Sequence, residues 1–259
     1  MPAARVVSWF SCGAASAAAT HLALNTPLPF GATEVVVAYC DTSRREHPDN
    51  ERFLKDCERW FGQPILRLTN EDYPAGDPDE VFRKTRYLVG PGGARCTAEL
   101  KKKVRWAFQR PTDIVILGYT TEEYAVRGPR TEKAEPLQKF WPILNERKLT
   151  KQNCKDIVTG AGIELPEMYR LGYKNNNCIG CVKGQAGYWN KIRVDFPDRF
   201  AEMVALEREL KRTICKQEWS KNGVRTRKRL YLDELPPDLG RYEAEPDISC
   251  GITCHSAEQ

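Results

Sequence analysis

The chain has 259 residues, 40 Lys+Arg against 35 Asp+Glu for a formal net charge of +5, and 41% hydrophobic residues. That length admits one large domain, or one domain with an appendage, around a sizeable core. No run approaches the roughly 18 consecutive apolar residues that span a bilayer. The first residues lack a secretory pattern, and 10% aromatics argue against disorder.

In chain order, Arg5–Phe10 reads as a buried strand, followed by a small-residue loop and the Ala-rich helix Ala14–Leu24. Thr33–Tyr39 is a second strand, followed by a polar loop and a helix around Asn50–Phe61, which Asp49 or Asn50 would cap. Pro64–Leu68 is a third strand, and a helix over Cys96–Phe108 precedes a fourth, Asp113–Leu117. Strands alternating with helices predict βαβ units, hence an α/β fold with a doubly wound, mainly parallel open sheet. Ligands in such sheets sit outside the carboxyl ends of the strands. Beyond Leu117, Thr150–Ala161 and Asp198–Arg212 are expected to be helical, and Lys211–Arg229 is densely basic. The last thirty residues read as a loosely structured tail. Trp60, Trp106 and Trp141 are assigned to the core, while Tyr188, Trp189 and Trp219 are candidates for stacking on bases.

Ten cysteines without a signal peptide predict a reducing, cytoplasmic setting with free thiols. Cys57, Cys154 and Cys215 read as small buried hydrophobes. Two thiols at Cys178-Ile179-Gly180-Cys181 have metal-ligand spacing, and Lys174 and Lys183 would lower their pKa. Cys96 opens a predicted helix, where the dipole favours a thiolate. Phe10-Ser11-Cys12-Gly13-Ala14-Ala15-Ser16 leaves a strand and enters a helix through small residues, so that backbone N–H groups and the Ser11 and Ser16 hydroxyls can meet an anion. It is neither a Walker loop nor a G-x-G-x-x-G fingerprint.

Ser11 to Ser16 resembles the PP-loop, S-G-G-x-x-S, of the ATP-pyrophosphatase and PAPS-reductase superfamily, with Cys12 replacing the first glycine. A negative φ at Cys12 would let it fit. Tyr39-Cys40-Asp41-Thr42 is similar to that family's Y-x-D-T, and Gly118-Tyr119 through Glu123 and Arg127 to its G-x-x-x-x-E-x-x-x-R segment. Cys96-Thr97 to Lys101, followed by C-x-x-C, resembles the iron–sulfur branch, and Cys250-Gly251-Ile252 the C-G-[IL] tail of assimilatory reductases. The likeness runs from about residue 5 to about 212 and is strongest to phage-type proteins.

The resemblance implies an adenine-nucleotide α-hydrolase-like fold. Residues 1–145 would form the nucleotide-binding domain, 146–215 a helical part with the C-x-x-C, and 216–259 a basic, then Pro/acidic tail. PAPS, APS or ATP would lie on Ser11, Cys12, Gly13, Ala14, Ala15, Ser16, Asp41, Thr42, Gly118 and Tyr119. Cys250, Arg127 and Glu123 would be catalytic, and Cys96, Cys178, Cys181 and Cys254 would hold a [4Fe–4S] cluster, with zinc the alternative and Cys250 a competing fourth ligand. The implied activity is reductive sulfite release with a thioredoxin-type partner. The alternatives are an ATP-dependent sulfurtransferase using a sulfur donor, and a non-catalytic nucleotide-binding redox sensor. A homo-oligomer is expected, with nucleic acid the less favoured partner and no membrane association.

Overall fold

The computed structural model describes residues 4–90, 92–221 and 224–248. Five parallel strands form one sheet: β1 (Arg5–Phe10), β2 (Glu34–Cys40), β3 (Leu66–Leu68), β4 (Ile114–Leu117) and β5 (Lys139–Phe140). Their spatial order is 3-2-1-4-5. β1 is central, in register with β2 from Arg5↔Glu34 to Phe10↔Tyr39 and with β4 from Val6↔Ile114 to Trp9↔Leu117. All six of its residues are buried, as expected for a strand in a parallel sheet covered on both faces. Arg5, the one charge in the strand, is neutralised where it enters the core. Its guanidinium donates to both Asp113 carboxylate oxygens at 2.9 and 3.1 Å.

Successive β1 side chains feed opposite layers. Phe10 packs with Ala14 and Ala17 of α1 (Ala14–Leu24) and Phe53 and Leu54 of α2 (Asn50–Phe61). Val7 and Trp9 pack with Val104 on the other face. Val104 belongs to α4, a helix in three successive pieces: Arg95–Thr97, the π-helical Ala98–Lys103 and Val104–Phe108. It follows α3 (Pro78–Thr85). The predicted α/β class and mainly parallel sheet are therefore present, with helices on both faces.

Several expectations need correction. β5 and α5 (Thr121–Ala134) were not predicted; a two-residue strand leaves almost no period to read, and Pro129 inside α5 masks its helical pattern. After α6 (Lys151–Gly160), α7 (Ala186–Asp195) and α8 (Pro197–Leu210), the basic run forms a two-stranded antiparallel ribbon, β6 (Cys215–Lys221) with β7 (Val224–Leu230). Trp106 is 55% exposed, whereas Trp189 and Tyr188 are core residues and cannot stack on bases; the side chain of Trp219 lies outside the described residues. The tail is not loose up to residue 248. Asn190 donates to the Pro236 and Leu239 carbonyls, and the Glu245 carboxylate accepts from the Gly187 and Tyr188 N–H groups at the start of α7. Helix N-termini leave such donors unpaired, so the tail supplies a cap. Cys57, Cys154 and Cys215 are buried, as expected.

Candidate functional site

The strand order reverses beside β1, since the chain moves outward from β1 to β3 and returns to β4 on the other side. A cleft opens at this point, as topological switch points predict. About 1060 Å³ of non-atom space, its open mouth included, lies within it. Its floor is the β1–α1 loop. The Ser11 N–H and hydroxyl both reach the Ser16 Oγ at 3.1 Å, and that hydroxyl donates to the Gly13 carbonyl at 2.9 Å. The loop is thus closed by its own serines, with the first turn of an eleven-residue helix behind it. Ala14 N–H donates to the Tyr169 hydroxyl at 3.4 Å. Burial holds that phenol up to about 12, so it stays a neutral partner.

Gly118, at the end of β4, closes the opposite wall. A Cβ there would lie 2.7 Å from the backbone N and Cα of Ser16, so only glycine permits this approach. Gly13 needs no such freedom, having φ −108°. Cys12 does need it, with φ +53°. The condition of a negative φ is therefore not met, and a non-glycine residue occupies the left-handed region where the resembled motif has glycine. The Cys12 thiol is fully buried, and burial pushes its pKa well up. A reactive sensor thiol needs exposure and a lowered pKa, so Cys12 lends the sensor reading no support. Its carbonyl accepts from Asn176 Nδ2 at 2.6 Å.

Ser11, Gly13, Ala15, Ser16, Gly118, Tyr119, Glu123, Arg127 and Cys178 all line the cleft. Cys12, Ala14, Asp41, Thr42, Cys96 and Cys181 do not line it. Asp41 turns aside, accepting from the Ser43 N–H at 2.9 Å. Thr42 is buried, donating to the Glu46 carboxylate at 2.6 Å. Glu123 completes the capping box at the start of α5 and pairs with Arg127 at 3.3 Å. Cys250 and Cys254 lie outside the described residues.

Glu46, Lys101, Lys151 and Asn176 also line the cleft, though none was among the site residues that the resemblance implies. Glu46 is 8% exposed and accepts from Tyr39, Thr42 and Asn50 at 2.6–2.7 Å. Burial and the adjacent Glu46 hold the Tyr39 phenol well up, fixing it as a donor. Asn50 in turn accepts from Asn176 at 2.8 Å, tying the Asn175–Cys178 segment to α2. An i, i+4 Glu46–Asn50 spacing was visible in the sequence; its link to residue 176 was not. Lys101, Arg127 and Lys151 bring positive charge from three separate elements. Lys151 donates to Asn175 at 2.9 Å and pairs with Asp247. Asn175 and Asn177 hold the carbonyl of Ile248, which itself lines the cleft.

The C-x-x-C loop is braced from two sides. Ile179 N–H donates to the Arg45 carbonyl at 2.7 Å, and Arg199 Nε donates to the Ile179 carbonyl at 3.2 Å. Gly180 turns the loop with φ +71°. The Tyr188 hydroxyl accepts from the Cys181 N–H and donates to the Cys178 carbonyl. Cys96 packs on the apolar cluster that contains Cys181, while Cys178 opens to the cleft. Among the described residues, no group of three or more His, Cys, Asp or Glu side chains stands together as a metal-ligating set. Likewise, no described helix is long and apolar enough to cross a membrane. No protein-family model matches the chain, and no curated protein sequence matches it.

Proposed function

We propose that the cleft binds an adenine nucleotide by its phosphate or sulfate end and that the chain carries out sulfur chemistry of the PAPS-reductase type on an adenine-nucleotide α-hydrolase-like fold. The observation that carries this reading is convergence. One cavity is lined by the serine-closed loop at the head of α1, by Lys101, Arg127 and Lys151, and by the thiol-bearing residue Cys178. Helix N-terminal N–H groups and three cations suit a polyanion. A soft thiol donor at Cys178 beside it suits a site for sulfur chemistry.

In the reductive reaction, a thiolate attacks the sulfuryl sulfur of the nucleotide and the S–O bond to the phosphate breaks. The nucleotide leaves with that electron pair, stabilised by the loop donors and cations. The resulting S-sulfocysteine is then attacked by one thiol of a thioredoxin-type dithiol, which releases sulfite and restores the cysteine as the dithiol is oxidised. Cys250, two residues after the cleft-lining Ile248, is the proposed nucleophile. Cys96, Cys178 and Cys181 would supply soft donors to a [4Fe–4S] cluster or zinc, with the closing ligand at Cys250 or Cys254. Such a group would tune the electrostatics beside the cleft, and none of the steps above passes through it.

The test is calorimetric titration with PAPS, APS and ATP, followed by sulfite release from PAPS with thioredoxin and by the iron, zinc and acid-labile sulfide content of anaerobically purified protein. Sulfite formation that Cys250→Ser abolishes supports the reading. AMP or pyrophosphate formation from ATP without sulfite would replace it with the sulfurtransferase. Nucleotide binding without any turnover would leave the sensor.

A further inference from the structure

We propose that the ribbon β6–β7, with the residues leading into it, is an arm that docks on the backbone of double-stranded DNA. The overall charge of +5 conceals a strong asymmetry. Residues 211–230 carry eight basic residues and one acidic residue, which leaves 32 basic and 34 acidic for the rest of the chain. The protein's entire positive excess thus sits on one arm, over a body that is close to neutral. A mildly basic whole-chain balance does not reveal such an arm; its position in the fold does.

The arm is built to hold its shape. Its stem is buried at Cys215 and Leu230. The carboxylate of Glu207, fully buried on α8, accepts from the Ile214 N–H with one oxygen at 2.5 Å and from the Leu232 N–H with the other at 2.6 Å. Both chain segments are therefore clamped where they leave the core. Beyond the stem, Lys216, Arg227, Lys228 and Arg229 are exposed.

Their arrangement works against folding. Lys216 stands directly opposite Arg229 in the antiparallel register, a like-charge pair that destabilises a ladder. A two-stranded ribbon is marginal even without that penalty. Glu218 is the one carboxylate within residues 211–230, and it pairs with both Lys216 at 2.8 Å and Arg227 at 2.9 Å. A polyanion would relieve the repulsion between Lys216 and Arg229.

The shape selects among polyanions. Seven paired residues extend about 24 Å at a strand rise of roughly 3.4 Å per residue. The major groove of B-form DNA is about 12 Å wide and admits a two-stranded ribbon, and the A-form RNA major groove is too narrow. Phosphates on both groove walls would face the exposed cations on the two strands.

The experiment is fluorescence anisotropy of the full chain with a labelled DNA duplex of about 20 base pairs and arbitrary sequence, titrated across salt. Wild type is expected to bind with an affinity that falls steeply as salt rises. Arg227→Gln/Lys228→Gln/Arg229→Gln should bind at least about 10-fold more weakly, with a log–log salt slope shallower by about 2–3. The variant relieves like-charge repulsion, so its thermal midpoint should match or exceed wild type. If it does not fold, Lys216→Gln and Arg227→Gln singly should each flatten the slope by about 1. Unchanged duplex binding by the variants would overturn the proposal. So would tighter binding of a single strand, or of polyglutamate of equal charge. Calorimetry with ATP reads the cleft separately.

Discussion

The backbone at Cys12 sets up a direct test of how the loop is built. A non-glycine residue in the left-handed region costs about 1–2 kcal/mol, and Cys12 is there with φ +53° and its thiol fully buried. Cys12→Ala removes the thiol and keeps the strain, at about 1–2 kcal/mol. Going from alanine to glycine gives up about 0.8 kcal/mol of Cβ burial and about 0.5–1 kcal/mol of chain entropy. It also lifts the left-handed penalty, so the three contributions nearly cancel. Cys57 is the control, because it is equally buried in the same apolar cluster but lies inside α2. There the step from alanine to glycine costs about 2 kcal/mol with nothing to offset it. Urea unfolding of the four variants, compared at a shared m-value, should therefore give a glycine–alanine gap near zero at position 12. The gap at position 57 should be about 1–2 kcal/mol larger. Equal gaps at the two positions would refute the reasoning.

Three further outcomes are expected. Gly118→Ala places a Cβ against the Ser16 backbone, so it should cost about 1–3 kcal/mol and weaken ATP binding by at least about 10-fold in calorimetry. Burial raises the Glu207 carboxyl from 4.5 to about 7, so the folded state holds its proton more tightly than the unfolded chain does. That contribution is complete below pH 4.5 and is lost as pH rises through about 7; it amounts to about 3 kcal/mol. Urea midpoints from pH 4 to 8 should show a steeper decline for wild type than for Glu207→Gln. Arg199→Met leaves the buried Asp79 salt-bridged to Arg45 alone among the described residues and should cost about 3 kcal/mol in thermal or urea unfolding. Adding Asp79→Asn should recover part of that loss.

The central sheet was legible because β1, β2 and β4 are apolar runs flanked by turns, and periodicity of that kind survives without tertiary context. β5 was not, since two residues carry no period. The loop from Ser11 to Ser16 and the wall at Gly118 could be read from small residues at a strand end, but the sign of φ at Cys12 could not. The Cys12 carbonyl is held by Asn176, 164 residues away in sequence, a partner that local pattern does not show. Asp41 and Thr42 were chosen for their likeness to Y-x-D-T, yet the carboxylate that faces the cleft here is Glu46, further along the same loop. Tyr188 and Trp189 looked like stacking residues because aromatic composition does not report burial. The ribbon looked like a mere basic run, because alternating charged residues hide the apolar face that usually marks a strand.

The cleft wall draws on residues from Trp9 to Ile248. Its floor, from Ser11, leaves the ribosome more than 200 residues before Ile248. At about 5–20 residues per second, the half-built cavity would wait on the order of ten seconds or more for its last wall. A nascent chain thus carries the loop before it carries the enclosure, and a ligand arriving early would meet an open ledge. Trimming the chain just before Asp247 would take Ile248 alone from the finished wall.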